Sequence, residues 1–108
     1  MSTALIAVEP TVCTQLLLGV AIVGELDIHT TTKVEKELAG LIGAGGQEIF
    51  LDLSGLTFCD SSGVDFFLQL HRRCLAASIV LRLIRVPART ARALRMLGAD
   101  RVLSCTYA

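Results

Sequence analysis

The sequence predicts a single α/β domain with a mostly parallel mixed sheet. Apolar segments rich in β-branched residues alternate with segments of helical periodicity, in the order β-β-α-β-α-β-α. The 108 residues are enough for one core, and 53% apolar residues with a mean hydropathy of +0.64 exclude a disordered chain. We therefore expect residues 1–108 to form one domain with an N-terminal edge hairpin and about three to four helices.

The first half of the chain predicts the hairpin and one helix. Residues 4–8 predict a short strand that Glu9-Pro10 breaks, and residues 15–23 predict a longer strand that ends in the loop 24–27. The threonines at positions 30–32 offer N-cap hydroxyls to the helix, and the glycine-rich segment 43–46 ends it. The apolar residues of this helix recur on one face: Val34, Leu38, Leu41 and Ile42.

The second half predicts two more strands and two more helices. Residues 48–53 are mostly apolar, as in a central parallel strand that is covered on both faces, and residues 79–86 predict its neighbour. Pro87 suits a first helical residue, Gly98 suits the position after the last turn, and residues 101–105 suit a final strand or helix turn. The buried stripes of these two helices should be Val64, Phe67, Leu68, His71, Cys74 and Leu75, followed by Ala91, Leu94 and Leu97.

The charges cancel in total but are distributed unevenly. The segment 1–65 contains nine acids and two lysines, whereas the segment 66–108 contains eight arginines and one aspartate. Such a chain suits a protein partner with a complementary potential, although helix faces that happen to segregate would give the same pattern. With a pI near 6.7, direct nucleic-acid binding is not expected.

The cysteines and the lengths of the apolar runs indicate the cellular compartment of the protein. The four cysteines show no C-x-x-C pair and no zinc-ligand spacing, and each has apolar neighbours, so we expect buried free thiols in a reducing compartment. The longest apolar run, residues 16–23, is far shorter than the roughly 20 residues that span a bilayer. No cationic signal-peptide start precedes Lys33. The expectation is a cytoplasmic protein that does not contact a membrane.

The segment Thr57–Gly63, called the serine turn below, is the most informative part of the chain. It follows the predicted strand 48–53 and places Ser61 and Ser62 where that strand gives way to a helix. Free N–H groups and the positive end of the helix dipole favour an anion at such a junction.

Several kinds of chemistry at this turn are disfavoured. A catalytic serine is disfavoured because the turn lacks the G-x-S-x-G pattern and has no clear general base. His71 lies about two and a half turns further along the same helix, and His29 could reach the serines only if its loop approached them. A phosphate-binding G-x-x-x-x-G-K-[ST] loop is absent, and so are the acidic pair and late lysine of a receiver domain. Metal binding would require three separated aspartates, at 52, 60 and 65, to converge.

Plain structural roles explain two of these aspartates. Asp60 suits the helix cap and Asp65 its first turn. We therefore expect no enzyme activity, no cofactor and no metal. The two serines remain either capping residues or acceptors of a modification made by another protein.

Two stretches of the chain resemble the hallmarks of one family. Residues 50–63, with the sequence FLDLSGLTFCDSSG, resemble the signature of STAS domains of the anti-sigma factor antagonist type. The sequence GELD at residues 24–27 resembles the second hallmark, the loop after the second strand. The resemblance covers approximately residues 4–104. The chain departs from the usual pattern at two places: Cys59 stands where another apolar residue is common, and Val64-Asp65-Phe66 replaces a run of small and aliphatic residues.

The resemblance implies a function and a set of residues. It implies that Ser61 accepts a phosphoryl group from a partner anti-sigma factor with a GHKL-type ATP site, and that a PP2C-type phosphatase removes it. The unphosphorylated chain would bind the anti-sigma factor and release a sigma factor. The alternative is a STAS subunit of a membrane-associated, lipid-transport type complex that is not phosphorylated. The implied partner contacts are Gly24, Glu25, Leu26, Asp27, Thr57, Asp60, Ser62, Gly63, Val64 and Phe67.

Overall fold

The computed structural model describes residues 6–42 and 47–108, and these contain three α-helices and six strands. The strands form one sheet in the order β1-β2-β3-β5-β6, with β4 paired to β2 beyond β3. Only β1 and β2 are antiparallel among these described strands. The predicted α/β class, with a mostly parallel mixed sheet and an N-terminal edge hairpin, is therefore confirmed. The elements are β1 (Ile6–Cys13), β2 (Leu17–Leu26), α1 (Thr31–Leu41), β3 (Glu48–Asp52), β4 (Leu56–Cys59), α2 (Ser61–Ala76), β5 (Val80–Val86), α3 (Ala88–Met96), a 3-10 turn (Ala99–Arg101) and β6 (Ser104–Tyr107).

The hairpin differs from its prediction at both strands. Strand β1 continues through Pro10 to Cys13, and the pairing with β2 shifts register between Pro10 and Val12. The predicted break was wrong because an edge strand tolerates a residue without an N–H group, especially at a bulge. Strand β2 runs on to Leu26 rather than ending at residue 23. Residues 4 and 5 and the segment 43–46, on which two predictions fall, lie outside the described residues.

Strand β4 was missed in the sequence, which led us to place the serine turn directly after β3. The five residues of β3 pair with the first half of β2, from Leu17 to Ala21. The second half of β2 is left free, and β4 pairs with it in parallel, with Leu26 opposite Cys59. The strand that leads into helix α2 is therefore β4.

The hydrophobic core covers only one face of the sheet. Along β3, Ile49 and Leu51 are fully buried, whereas Glu48, Phe50 and Asp52 between them remain partly exposed. The predicted coverage of both faces was therefore wrong. The partly exposed face carries two cross-strand ion pairs, one of which joins Glu48 to Arg82 at 3.5 Å.

The helices bury faces that differ in part from the predicted ones. In α2, Val64, Phe67 and Cys74 are buried as expected. Leu68 and His71 are only half-buried and Leu75 is exposed, while Phe66 and Leu70 are also buried. The core therefore lies against a face of α2 that is rotated toward Phe66.

The ends of α3 are close to their predicted positions. Pro87 is the N-cap rather than the first helical residue, and Gly98 has the left-handed φ of 72° that suits the position after a helix. Of the predicted stripe, Ala91 and Leu94 are buried but Leu97 is exposed, and Thr90 is buried in addition.

The four cysteines are free, but they are not uniformly buried. Cys74 is buried and Cys59 and Cys105 are half-buried, whereas Cys13 is exposed. The expectation of a buried thiol at Cys13 was wrong because β1 is an edge strand with an exposed end.

An ion pair joins the ends of β3 and β5. The guanidinium of Arg85 contacts the carboxylate of Asp52, which also accepts a hydrogen bond from the backbone N–H of Ser54 at 3.0 Å. Arg85 has a positive φ of 50°, at a register shift between β5 and β6, which is strained backbone for a residue with a Cβ. Partial burial acts to raise the pKa of Asp52, but the hydrogen bonds from Arg85 and Ser54 outweigh it and the pKa is lowered.

Helix α2 approaches the sheet most closely at Gly63. A Cβ at this position would lie 2.7 Å from Sγ of Cys59 and 3.0 Å from the carbonyl oxygen of Leu26. The second of these is backbone in a paired strand and cannot move aside. Only glycine at this position therefore allows the first turn of α2 to lie this close to β2 and β4.

We expect Asp52→Asn to lower stability in a pH-dependent way. The pKa of Asp52 is lower in the folded chain than the ordinary value of about 3.9, so the ionised carboxylate stabilises the fold at neutral pH and this contribution is lost as the pH falls through the folded pKa. Urea unfolding should show a deficit for the variant at pH 7 that shrinks below about pH 4. Asp65→Asn, at an exposed carboxylate, is the control. A deficit that stays constant down to pH 3 would contradict this account.

Replacement of Gly63 by alanine should destabilise the fold by about 1–3 kcal/mol, since the added methyl group overlaps two neighbours. Cys59→Ala in the same chain should recover only part of this loss, because the Leu26 carbonyl remains. The matched control is Gly40→Ala, where a Cβ would meet nothing within 4 Å and helix propensity predicts a gain of about 0.5–1 kcal/mol. Equal unfolding free energies for the two alanine variants would refute the close approach.

Candidate functional site

The serine turn and the loop after β2 lie side by side at the carboxyl ends of two paired strands. Leu26 at the end of β2 is the register partner of Cys59 at the end of β4, and Asp27 and Asp60 follow directly. The backbone N–H of Asp60 donates to the carbonyl of Leu26 at 3.4 Å. The structure thus brings together the two hallmark segments, which lie far apart in the sequence.

Asp60 caps helix α2, as predicted. Its Oδ1 accepts hydrogen bonds from the backbone N–H groups of Ser62 at 3.0 Å and Gly63 at 3.2 Å. Ser61 is the first helical residue and is exposed, whereas Ser62 is half-buried. Asp65 is the fifth residue of the helix and so lies beyond the first turn in which we had placed it.

The loop after β2 is held by its own side chains. Oδ1 of Asp27 accepts from the backbone N–H groups of His29 at 2.8 Å and Thr30 at 3.1 Å. The buried hydroxyl of Thr30 donates to the carbonyl of Glu25 at 2.8 Å and accepts from the N–H of Asp27 at 3.0 Å. Thr30 is the N-cap residue of α1, but its side chain serves this loop and forms no cap hydrogen bond.

A second set of contacts places apolar side chains beside the serine turn. The hydroxyl of Thr57 donates to the carbonyl of Gly24 at 3.1 Å and joins β4 to β2 once more. Phe58, on β4, is 43% exposed, and Ile28, in the loop after β2, is 67% exposed. Both were missed in the sequence, where apolar residues next to strands are assigned to the core.

A groove of about 450 Å³ opens directly beside the two serines, between α1 and α2. Ser61, Ser62 and Asp65 form one wall, and Ile28 and Thr31 contribute to the other. Glu35 and Arg73 also line it, and their ion pair at 2.6 Å links α1 to α2. A group attached to Ser61 would therefore stand at an open groove.

Several of the predicted partner contacts are not on the surface. Leu26, Val64 and Phe67 are in the core and Gly63 is buried against β2, so these residues position the turn and their side chains are not available to a partner. Residues 64 and 67 follow the serines closely in sequence, but the helical period turns them inward.

The contacts described above limit the chemistry that the side chains of the site can perform. Burial first, and the nearby charge of Asp60 second, raise the pKa of the Cys59 thiol to about 12, so it remains protonated at neutral pH. Within residues 6–42 and 47–108, no three histidine, cysteine, aspartate or glutamate side chains converge as ligands for a metal ion. In the same part of the chain, no hydrogen bond joins Ser61 to a histidine.

None of the described helices has the length and apolar content that a membrane-spanning segment requires.

Comparison with known proteins agrees with this architecture. The STAS domain family model matches residues 9–107. An anti-sigma factor antagonist from Mycobacterium paratuberculosis has a TM-score of 0.80 and 17% identity, over 94% of this chain and 85% of that one. The anti-sigma factor antagonist SpoIIAA in its unphosphorylated form has a TM-score of 0.75 and 22% identity, over 93% and 88%. The Bacillus cell fate determinant SpoIIAA in its phosphorylated form has a TM-score of 0.66 and 20% identity, over 93% and 91%.

No sequence among the curated proteins is significantly similar to the chain. At these low identities, the likeness to the solved structures shows a common fold. The family model spans almost the whole chain. The chain therefore belongs to the STAS domain family.

Proposed function

We propose that the chain is an anti-sigma factor antagonist whose binding to its partner is controlled by phosphorylation of Ser61. The observation that carries the proposal is the exposure of Ser61 at the first residue of α2, beside an open groove. The structures of similar fold include anti-sigma factor antagonists, one of them in a phosphorylated form. Between the two serines, exposure favours Ser61 as the acceptor.

In the proposed reaction the chain is a substrate and the catalyst is its partner. An anti-sigma factor with a GHKL-type kinase site would supply ATP. The bond between the γ-phosphorus and its bridging oxygen would break and release ADP, a bond between that phosphorus and Oγ of Ser61 would form, and the hydroxyl proton would pass to a base on the kinase. A PP2C-type phosphatase would hydrolyse the ester. We expect this exchange to take place in the cytoplasm.

The proposed docking surface consists of the exposed parts of the site. From the sequence it retains Gly24, Glu25, Asp27, Thr57, Asp60 and Ser62, none of which is fully buried. To these we add the exposed side chains of Ile28 and Phe58, since a few side chains that become buried on binding carry most of the energy of an interface.

The surroundings of Ser61 support a switch that acts on docking rather than on folding. A phosphate adds about −1.5 to −2 charges at pH 7, and the N-terminus of α2 favours such a charge within the chain. A partner packed into the groove against a neutral hydroxyl would instead meet added bulk and a charge that is costly to desolvate. Asp60 and Asp65 place two further carboxylates nearby.

Ser61→Ala should bind the anti-sigma kinase permanently, and Ser61→Asp should bind at least about tenfold more weakly, a loss of about 1.4 kcal/mol. The measurement is calorimetric titration with the candidate kinases encoded in the same genome, with ATP absent. Ser62→Ala and Ser62→Asp are the controls. Mass spectrometry after incubation with kinase and ATP should place the phosphate on Ser61. Equal binding by the two Ser61 variants, or a phosphate on Ser62, would refute the proposal.

Ile28→Ser should weaken kinase binding about tenfold without lowering the unfolding midpoint, because an apolar side chain that is already in water adds little to stability. Leu16→Ser is the matched control, since Leu16 is 74% exposed at the hairpin on another part of the surface. The same loss of affinity in both variants would mean that Ile28 has no specific role in docking.

A further inference from the structure

The charges that are not paired within the chain form two patches of opposite sign. Four ion pairs use four of the ten acids and four of the ten bases, which leaves six charges of each sign without an ion pair in the described residues. Four of the six remaining acids surround the serine turn. Four of the six remaining bases lie on α3 and the 3-10 turn that follows it.

The acidic patch consists of Glu25, Asp27, Asp60 and Asp65. These residues come from the end of β2, the loop after it, the cap of α2 and its second turn. They are fully or partly exposed. Ile28 and Phe58, both exposed, add apolar surface beside these carboxylates.

The basic patch consists of Arg89, Arg92, Arg95 and Arg101. The first three recur at i, i+3 and i+6, so they follow the outer face of α3, opposite the buried Thr90, Ala91 and Leu94. All four arginines are exposed. Helix α3 itself contains no acidic residue, and the 3-10 turn adds one acid, the half-buried Asp100, beside Arg101. Met96, at the end of this face, is 78% exposed.

The two patches lie on neighbouring elements. Helix α3 contacts β4 and α2, which are the two elements that flank the serine turn. A surface with adjacent patches of opposite sign is complementary to a second copy of itself, since a two-fold rotation places each basic patch on the acidic patch of the other copy. With a net charge of zero, no overall repulsion keeps two copies apart.

We propose that the chain forms a two-fold dimer in which the basic patch of each copy docks on the acidic patch of the other. The contact is held by charge and by the exposed apolar side chains Met96, Ile28 and Phe58. It belongs to the weak, salt-sensitive class of interfaces, because neither patch lies in a deep apolar cleft. The dimer does not depend on the proposed partner. Because the acidic patch surrounds the serine turn, the dimer covers that turn. Only the resulting competition with the kinase rests on the proposed function.

Sedimentation equilibrium of the full chain, from 10 µM to 1 mM, tests the dimer without any partner. We expect the dissociation constant to rise at least about tenfold between 0.05 and 0.5 M NaCl, because added salt screens exposed charges. A chain that stays monomeric at low salt, or a dimer that is indifferent to salt, would overturn the proposal. If the chain stays monomeric, the basic patch would instead be available to bind an acidic partner of another kind.

Charge-reversal variants identify the surfaces. Arg92→Glu with Arg95→Glu should abolish the dimer, and so should Glu25→Lys with Asp65→Lys. These four side chains form no side-chain hydrogen bond or ion pair in the described part of the chain, so the fold should survive, which circular dichroism checks. Dimerisation that persists in either double variant would refute the assignment.

A matched control and a mixing experiment complete the test. Lys36→Glu with Arg72→Glu changes the net charge as much as the α3 reversal does, at exposed residues outside both patches, and should leave the dimer intact. An equal mixture of the two monomeric variants should form a heterodimer, since each reversed patch then meets its opposite. Loss of the dimer in the control, or failure of the mixture to associate, would overturn the proposal.

Ser61→Asp separates this inference from the proposed function. It adds a negative charge to the acidic patch, so dimerisation should be at least as strong as in the unmodified chain while kinase binding is lost. Loss of the dimer in this variant would count against the charge-based interface. Unchanged kinase binding would count against the phosphorylation switch and would leave the dimer standing.

Discussion

The site depends on one constraint, which is the pairing of a single long strand with two short ones in succession. Strand β2 is twice as long as β3, so its second half needs another partner, and β4 fills that place. The chain is thereby returned to β2 just before helix α2 begins. Asp60 and Ser61 consequently emerge beside Asp27, although α1, β3 and β4 all lie between the two aspartates in the sequence. Without β4 the two hallmark segments would have no reason to meet.

Two local features leave the hydroxyl of Ser61 exposed at the end of these paired strands. Gly63 lets the first turn of α2 lie almost against the carbonyl of Leu26, and Asp60 satisfies the N–H groups of Ser62 and Gly63. The first turn is therefore fixed by contacts that do not involve the hydroxyl of Ser61, which leaves that oxygen free to be modified. A modification there changes the surface without removing anything that holds the helix in place.

The sequence was informative where structure is decided locally and misleading where it is decided by distant partners. The cap at Asp60 and the left-handed Gly98 follow from neighbouring residues, and both were predicted. Strand β4 has only four residues and exists because β2 has a free half, which no local pattern reports. Nearness to Ser61 in sequence suggested Val64 as a contact, but its helical position turns it into the core. Ile28 was missed because apolarity alone does not distinguish a core residue from a docking residue.

The charged residues show the same contrast: the sequence contains them, but the fold determines which of them stay unpaired. The uneven distribution of acids and bases along the chain is visible in the sequence, but it does not predict which charges remain available. Strands β3 and β5 neutralise each other through Glu48 with Arg82 and Asp52 with Arg85, so the middle of the chain contributes little net field. The remaining charge is concentrated at the serine turn and on α3. A phosphate on Ser61 would therefore enter the most acidic part of the surface and enlarge the contrast with α3. Its effect on any partner then depends on whether that partner packs closely against the hydroxyl or meets the turn through opposite charge.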